Sequence, residues 1–402
     1  MNHPEINQNP RPTSGPMEGA QKESPKANIF LCTVAALNEQ VVTAIFSDRL
    51  CMMALGTSDS VIYMFELNLI VSRSNGSEVD HVAMDPSNSD DQFTLRGLEG
   101  PLYDGAFCQK CKYFVSCAVD FTVRLWCLSS RCILFNYMGH SWPIRSVVFT
   151  ANGLFATASY SGIVTISKMD SISPYRQFSA AKNEPLTACL LHPAAYAYYC
   201  IVGCLNGAIR IWEYAGQCFE WRVFRGHKSA VTVLALSNCT FYLVSGDASH
   251  ITLVWDVRSQ WVIRSLGEHL GPIRSIDFSL DNNLLVIGAG DKYRQLSIWD
   301  FKGLKQAEPQ RKACNVSPLS NEHLLVFSHV NVAAPIAKIR FITYDILMGV
   351  CALATSNAWH QPDIALCHCF LLVKSLTGVR EAQAGAEALG KSYKFNEKLK
   401  NY

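Results

Sequence analysis

The sequence predicts an all-β, seven-bladed propeller, and two observations carry the prediction. A Trp closes a short apolar run at Trp126, Trp212, Trp255 and Trp299, with Phe65 and Ser167 in the same slot of two weaker copies. From Phe65 onward the slots lie 61, 41, 45, 43 and 44 residues apart, and about 40–45 residues is the length of one four-stranded blade. Within each copy the same order returns: Gly-His or its remnant, an apolar strand, a turn, a second strand, a tight turn and the Trp strand, which is four strands' worth of chain.

Taken in order, residues 1–28 are rich in Pro, Asn, Gly and Ser and are expected to be a disordered leader without the apolar segment that secretion needs. The propeller is expected over 29–370. Val41–Phe46 opens the first blade, and the long first spacing is assigned to 68–93, an acidic loop between blades holding Asp80, Asp85, Asp90 and Asp91. Six copies are legible, the last followed by a polar linker over 302–334. A seventh is suggested by Pro335–Phe341 and Ile346–Leu353, with Ile29–Thr33 as its outer strand, because a propeller closed by strands from both termini leaves no open edge. Beyond it, 371–402 is a tail, with Gly378–Lys391 at best a weak Ala-rich helix.

Six residues before each slot stand Asp59, Asp120, Ser161, Asn206 and Ser249, short polar side chains that can hold a tight turn by bonding nearby backbone. A Gly-His imidazole can bridge that turn to the Ser/Thr and Trp of its own blade, so that no polar group is buried unpaired. The expected structural network is therefore His140, His227, His269, Asp59, Asp120, Trp126, Trp212, Trp255 and Trp299. It is eroded: Leu98 replaces one His, Ala180 and Ala181 stand at another, Ser167 replaces a Trp, and His269 lacks its Gly.

Charged residues make up 17% and the net charge is +2, too weak a field to support direct nucleic-acid binding. No apolar run is long enough for a membrane span. The sixteen Cys sit in apolar runs and are read as buried thiols in a reducing compartment; the sequons at Asn75 and Asn238 are accordingly read as unused. Cys108-Gln-Lys-Cys111 is placed in a hairpin turn and lacks the remaining ligands of a zinc site. Cys367-His-Cys369 is read as strand, with the two thiols on one face. Periodic histidines argue for structure rather than catalysis, so no enzyme, cofactor, metal or small-molecule substrate is expected. Tyr103, Trp142, Arg145, Lys228, Leu270 and Arg274 fall on the mouth of the propeller and are the candidate partner surface.

These copies are WD40 repeats in pattern. Gly97–Tyr103 through Phe121–Trp126, then Gly139-His-Ser-Trp-Pro-Ile-Arg145 and Leu191-His-Pro193, resemble the propeller of the TFIID subunit 5 family, and the stretch from Leu296 to Phe341 looks closer to its SAGA/PCAF-complex paralogue. The resemblance covers about Ile29 to Leu353. It implies a nuclear scaffold subunit of a TFIID or SAGA-type histone acetyltransferase complex, docking histone-fold subunits in RNA polymerase II transcription. The family's helical N-terminal region is absent from the pattern. The competing reading is a generic WD adaptor, such as a ubiquitin-ligase substrate receptor.

Overall fold

The computed structural model describes side chains from Val41 to Leu304, except residues 48–51, 67–91, 109–111, 139, 151–152, 181–183, 193–197, 217–218, 268, 280 and 291–294. Backbone alone is described for elements within 28–37, 68–85, 305–306 and 325–375. The leader expected over 1–28 and the helix expected over 378–391 thus lie almost wholly outside the described residues.

Six four-stranded antiparallel meanders follow one another. Blade one is β2 (Val41–Ser47), β3 (Met52–Thr57), β4 (Ile62–Glu66) and β7 (Gln92–Leu95); blade two is β8 (Leu102–Phe107), β9 (Tyr113–Ala118), β10 (Val123–Cys127) and β11 (Cys132–Tyr137). Blade three is β12 (Ile144–Phe149), β13 (Leu154–Ser159), β14 (Ile163–Lys168) and β15 (Arg176–Ser179). Blade four is β16 (Leu186–Leu191), β17 (Tyr199–Cys204), β18 (Ile209–Glu213) and β19 (Phe219–Phe224). Blade five is β20 (Val231–Leu236), β21 (Tyr242–Asp247), β22 (Thr252–Asp256) and β23 (Val262–Leu266). Blade six is β24 (Ile273–Phe278), β25 (Leu284–Ala289), β26 (Gln295–Asp300) and β27 (Leu325–His329), with the short helix α1 (Phe301–Gln306) after β26.

Two boundary expectations are corrected. The acidic segment is not a loop between blades: it forms a hairpin, β5 (Asn68–Ser74) with β6 (Glu78–Asp85), inserted inside blade one between β4 and its outer partner β7. Likewise 302–334 is not only a linker, because β27 within it is the fourth strand of blade six and pairs with the Trp299 strand. The physical reason is common to both. Each Trp-slot strand needs an outer partner for its backbone groups, so extra chain is tolerated in the connection to that strand rather than in the pairing itself.

Beside the six blades, β1 (Asn28–Leu37) pairs with β30 (Gln361–Ser375), which continues through β29 (Leu347–Ala358) to β28 (Ile336–Tyr344). Strand therefore covers Cys367–Cys369 and runs past residue 370, where the tail was expected to begin. The first strands neighbour one another in chain order, β2, β8, β12, β16, β20, β24 and β28, and β28 also lies beside β2.

The inner strand of every four-stranded sheet, β2, β8, β12, β16, β20, β24 or β28, carries the same irregularity. Its pairing with the second strand slips at Val41/Thr43, Leu102/Asp104, Ile144/Ser146, Leu186/Ala188, Val231/Val233, Ile273/Ser275 and Ile336/Lys338. The skipped residue is re-aimed out of the ladder, as a bulge requires. A second bulge precedes each Trp, at Leu125/Trp126, Ile211/Trp212, Val254/Trp255 and Ile298/Trp299, and is missing from the slots filled by Phe65 and Ser167.

Packing between blades explains why the middle strands are apolar on both faces rather than alternating. The five residues Phe114–Ala118 of β9 are all buried, while most of β11 is exposed. Close approach also demands a small residue one position before the end of β21: a Cβ on Gly246 would meet Ile273 Cγ2 of the next blade at 2.4 Å. Thr187 and Thr232, both skipped at the bulge, donate their hydroxyls to Val231 O and Ile273 O of the following blade.

A candidate protein-interaction face over a polar network

The strand registers place equivalent residues of each blade in one frame, and among the described residues only blade five has the whole network. His227 Nδ1 lies 2.8 Å from Asp247 Oδ2, His227 Nε2 lies 2.6 Å from Ser245 Oγ, and Trp255 Nε1 donates to Ser245 Oγ at 2.7 Å. A carboxylate can only accept, so Nδ1 carries the proton and Nε2 accepts from the Ser hydroxyl. Burial alone would raise the Asp247 carboxyl, but hydrogen bonds from His227, Ser249 and the Ile251 amide reverse that and hold it below its ordinary range.

The sequence frame put Ser249 at this turn. Ser249 instead donates its N–H to Asp247 Oδ1, and Ser161 does the same to Ser159 Oγ. The anchoring acceptor stands at the end of the second strand, where a side chain reaches both the turn and the incoming His. Asp59, Asp120 and Asn206 do accept from their own turns: Asp59 from Thr57 Oγ1, Asp120 from the Thr122 N–H at 3.0 Å and hydroxyl at 2.7 Å, and Asn206 from the Ala208 N–H at 2.8 Å.

Elsewhere the frame shows what was lost. In blade six the positions of Ser245 and Asp247 are Ile287 and Ala289, so both ring nitrogens of the buried His269 lack a partner among the described residues. Desolvation drives that imidazole down to about 4, and Trp299 turns to Ser297 Oγ on its own strand at 3.1 Å. In blade three His140 Nε2 meets Thr157 Oγ1 at 2.8 Å, but no Trp exists to complete the set, and burial lowers His140 to about 4. Trp126 keeps its bond to Ser116 Oγ at 2.7 Å although Leu98 fills the His site. Trp212 has Val202 where Ser245 would be and packs on Phe178 at 5.1 Å.

Sequence reasoning missed two buried arginines. Arg124 and Arg210 stand two residues before Trp126 and Trp212, in the two Trp-bearing blades that lost the His. Arg124 Nη1 meets Asp120 Oδ2 at 2.6 Å; Arg210 bridges Glu184 at 2.8 Å and Glu220 at 2.5 Å. Their signal was a charge inside the Trp strand, as in Val123-Arg-Leu-Trp126, where a middle strand should be apolar on both faces.

The inner-strand bulges and the connections leading into them share one end of the propeller, and the candidate partner residues gather there. Val42, Tyr103, Arg145, Thr187, Thr232 and Arg274 are the residues skipped in the six blades. Arg145 is exposed, with its guanidinium 5.1 Å from the Tyr103 ring centroid and 5.4 Å from that of Tyr160. Two aromatic faces hold the cation while the residue stays exposed to a partner. Trp142 is 60% and Leu270 45% exposed in the incoming connections, and Lys228 and Arg274 are also exposed. Asp120 and Glu184, carboxylates at this end, are already committed to Arg124 and Arg210. The opposite end carries a second surface the sequence did not reveal: Arg222 stacks on Trp221 and Arg258 on Phe241, each at 3.9 Å, beside a half-exposed Trp261.

Cys108 is buried between β8 and β9, as the hairpin reading has it, and Cys111 lies outside the described residues. Among the described residues no cluster of metal-ligating side chains occurs, and no helix is long and apolar enough to cross a membrane.

Comparison with known proteins accounts for the repeated frame. The model of the WD domain, G-beta repeat, matches residues 90–127, 220–256 and 260–300. The chain carries WD40 repeats. It is 24% identical over 357 residues to transcription initiation factor TFIID subunit 5 of Caenorhabditis elegans, a match covering 83% of this chain and 53% of that protein. It is 28% identical over 133 residues to the subunit of the same name from Encephalitozoon cuniculi, covering 31% and 24%. The human WD repeat-containing protein 36 is 24% identical over 181 residues, covering 45% and 20%. The chain thus spans about half the length of the Caenorhabditis elegans protein it matches.

Proposed function

We propose that this chain is a non-catalytic scaffold subunit of a nuclear transcription coactivator complex of the TFIID or SAGA type. The carrying observation is the similarity to TFIID subunit 5, which runs through 83% of the chain rather than through a few repeats. The sheet of β1, β30, β29 and β28 is the seventh blade of a closed propeller. Its support is the Ile336/Lys338 slip, which repeats the inner-strand bulge of the six blades, and the position of β28 beside both β24 and β2.

The working surface is the mouth around Arg145, Trp142 and Leu270, and its partners are histone-fold subunits. Exposed Trp and Arg held rigid by neighbours are the anchors that dominate protein interfaces. Histidines that recur at one structural position in successive blades, buried beside their Trp strands, are in keeping with a scaffold role.

Affinity purification of the tagged chain from nuclear extract tests this reading. Recovery of histone-fold subunits supports it, and an accompanying acetyltransferase assigns the SAGA-type complex. Recovery of a cullin complex would replace it with the adaptor reading, and recovery of neither would end it.

A further inference from the structure

The outer hairpin of blade two carries two thiols that neither the polar network nor the mouth uses. Cys127 ends β10, Cys132 begins β11, and the strand register sets them directly opposite each other. Directly opposed residues of an antiparallel pair share a face and have Cα atoms about 4.5–5.5 Å apart, within the about 4.4–6.8 Å over which a disulfide closes.

Their surroundings differ from those of the other thiols. Cys108, Cys117, Cys189, Cys200 and Cys204 are buried, and burial raises Cys117 well above the usual range and Cys204 to about 12. Cys132 is exposed and Cys127 partly so. The turn between them brings hydroxyls to both: Ser130 Oγ lies 3.0 Å from Cys132 Sγ, and Ser129 Oγ 3.9 Å from Cys127 Sγ. Hydrogen bonds from Ser130, then Ser129, bring the Cys127 thiol down to about 7, so a large share is thiolate at neutral pH. Cys239 is also partly exposed, but its Sγ faces Ser237 Oγ at 3.2 Å rather than a second cysteine.

We propose that Cys127 and Cys132 form an oxidisable dithiol, a modification site at which hydrogen peroxide closes an intramolecular disulfide across the β10–β11 hairpin. The Cys127 thiolate attacks one peroxide oxygen; the O–O bond breaks, hydroxide leaves, and Cys127 becomes a sulfenic acid. The Cys132 sulfur then attacks Cys127 Sγ; the S–S bond forms, the S–O bond breaks, and the departing hydroxyl takes the Cys132 proton as water. Two thiols and one peroxide give one disulfide and two waters. Attack by a cellular thiol such as glutathione, followed by a second, restores the pair. The exposure of Cys132 departs from the expectation that the cysteines are small buried hydrophobes.

The sequence supplies a clean assay. Arg131 lies between the two cysteines, so trypsin puts Cys127 in Leu125–Arg131 and Cys132 in Cys132–Arg145, one cysteine in each. The full chain is treated with graded hydrogen peroxide, free thiols are blocked with N-ethylmaleimide, and the digest is analysed by mass spectrometry. The expected result is a linked pair of these two peptides, formed at lower peroxide than any change at the buried cysteines and released by dithiothreitol. In Cys132→Ser the reaction stops at the Cys127 sulfenic acid, trapped by dimedone. Recovery of both peptides alkylated across the series, separately oxidised to sulfinic acid, or joined to other cysteines would overturn the proposal.

Discussion

His227 and Asp247 meet at 2.8 Å with both side chains fully buried, and this contact ties the connection entering blade five to the turn before its Trp strand. Ser245 completes the chain by serving His227 and Trp255 together. No other described blade has all four members, so blade five is the reference against which the rest can be measured.

Ser245→Ala removes one hydroxyl but strands two buried partners, whereas Ser116→Ala strands only the Trp126 indole. An unsatisfied buried group costs about 1–3 kcal/mol. Urea unfolding should therefore show Ser245→Ala to be the more destabilising by about 1–2 kcal/mol, and equal losses would refute the network's shared role.

His269 and His140 give stability a pH dependence of known sign. The unfolded chain protonates these residues near 6.5, whereas the folded chain resists until about 4. Their contribution is whole above pH 6.5 and is lost as pH falls from there through 4, by up to about 3 kcal/mol for each. The lowered Asp247 and Asp120 carboxyls add a further loss below about pH 4. Thermal melts from pH 7.5 to 4.5 should fall steadily, and His269→Leu should flatten that slope while melting no lower than the parent at pH 7.5, since the ring has no hydrogen-bond partner among the described residues.

Arg210 compensates two carboxylates, so Arg210→Met leaves Glu184 buried without a counter-charge. A loss of about 3 kcal/mol is expected. Adding Glu184→Gln should recover part of it, because a neutral amide is cheaper to bury. A double variant as unstable as the sum of its parts would show that the two residues are not coupled.

At the mouth, Arg145→Ala and Trp142→Ala should leave the melting temperature within about 1–2 °C, as exposed residues do. Partner recovery from nuclear extract should fall at least tenfold for each. Unchanged recovery from both would move the working surface elsewhere, with the Trp221, Phe241 and Trp261 end next in line.

The sequence by itself determined the blade period, the strand type and the places of the Trp residues, because a four-stranded unit packed on both faces repeats its apolar pattern at fixed length. It also located Leu98, Ser167 and His269 as flaws in the network. Only the tertiary structure decided which polar groups meet. Spacing counted back from the Trp selected Ser249, but cross-strand register gives the role to Asp247, and spacing along one strand does not encode register. The ion pairs of Arg124 and Arg210, the hairpin tucked inside blade one and the opposition of Cys127 to Cys132 are decided for the same reason. Each depends on residues brought side by side across strands, where geometry rather than order along the chain sets the neighbour.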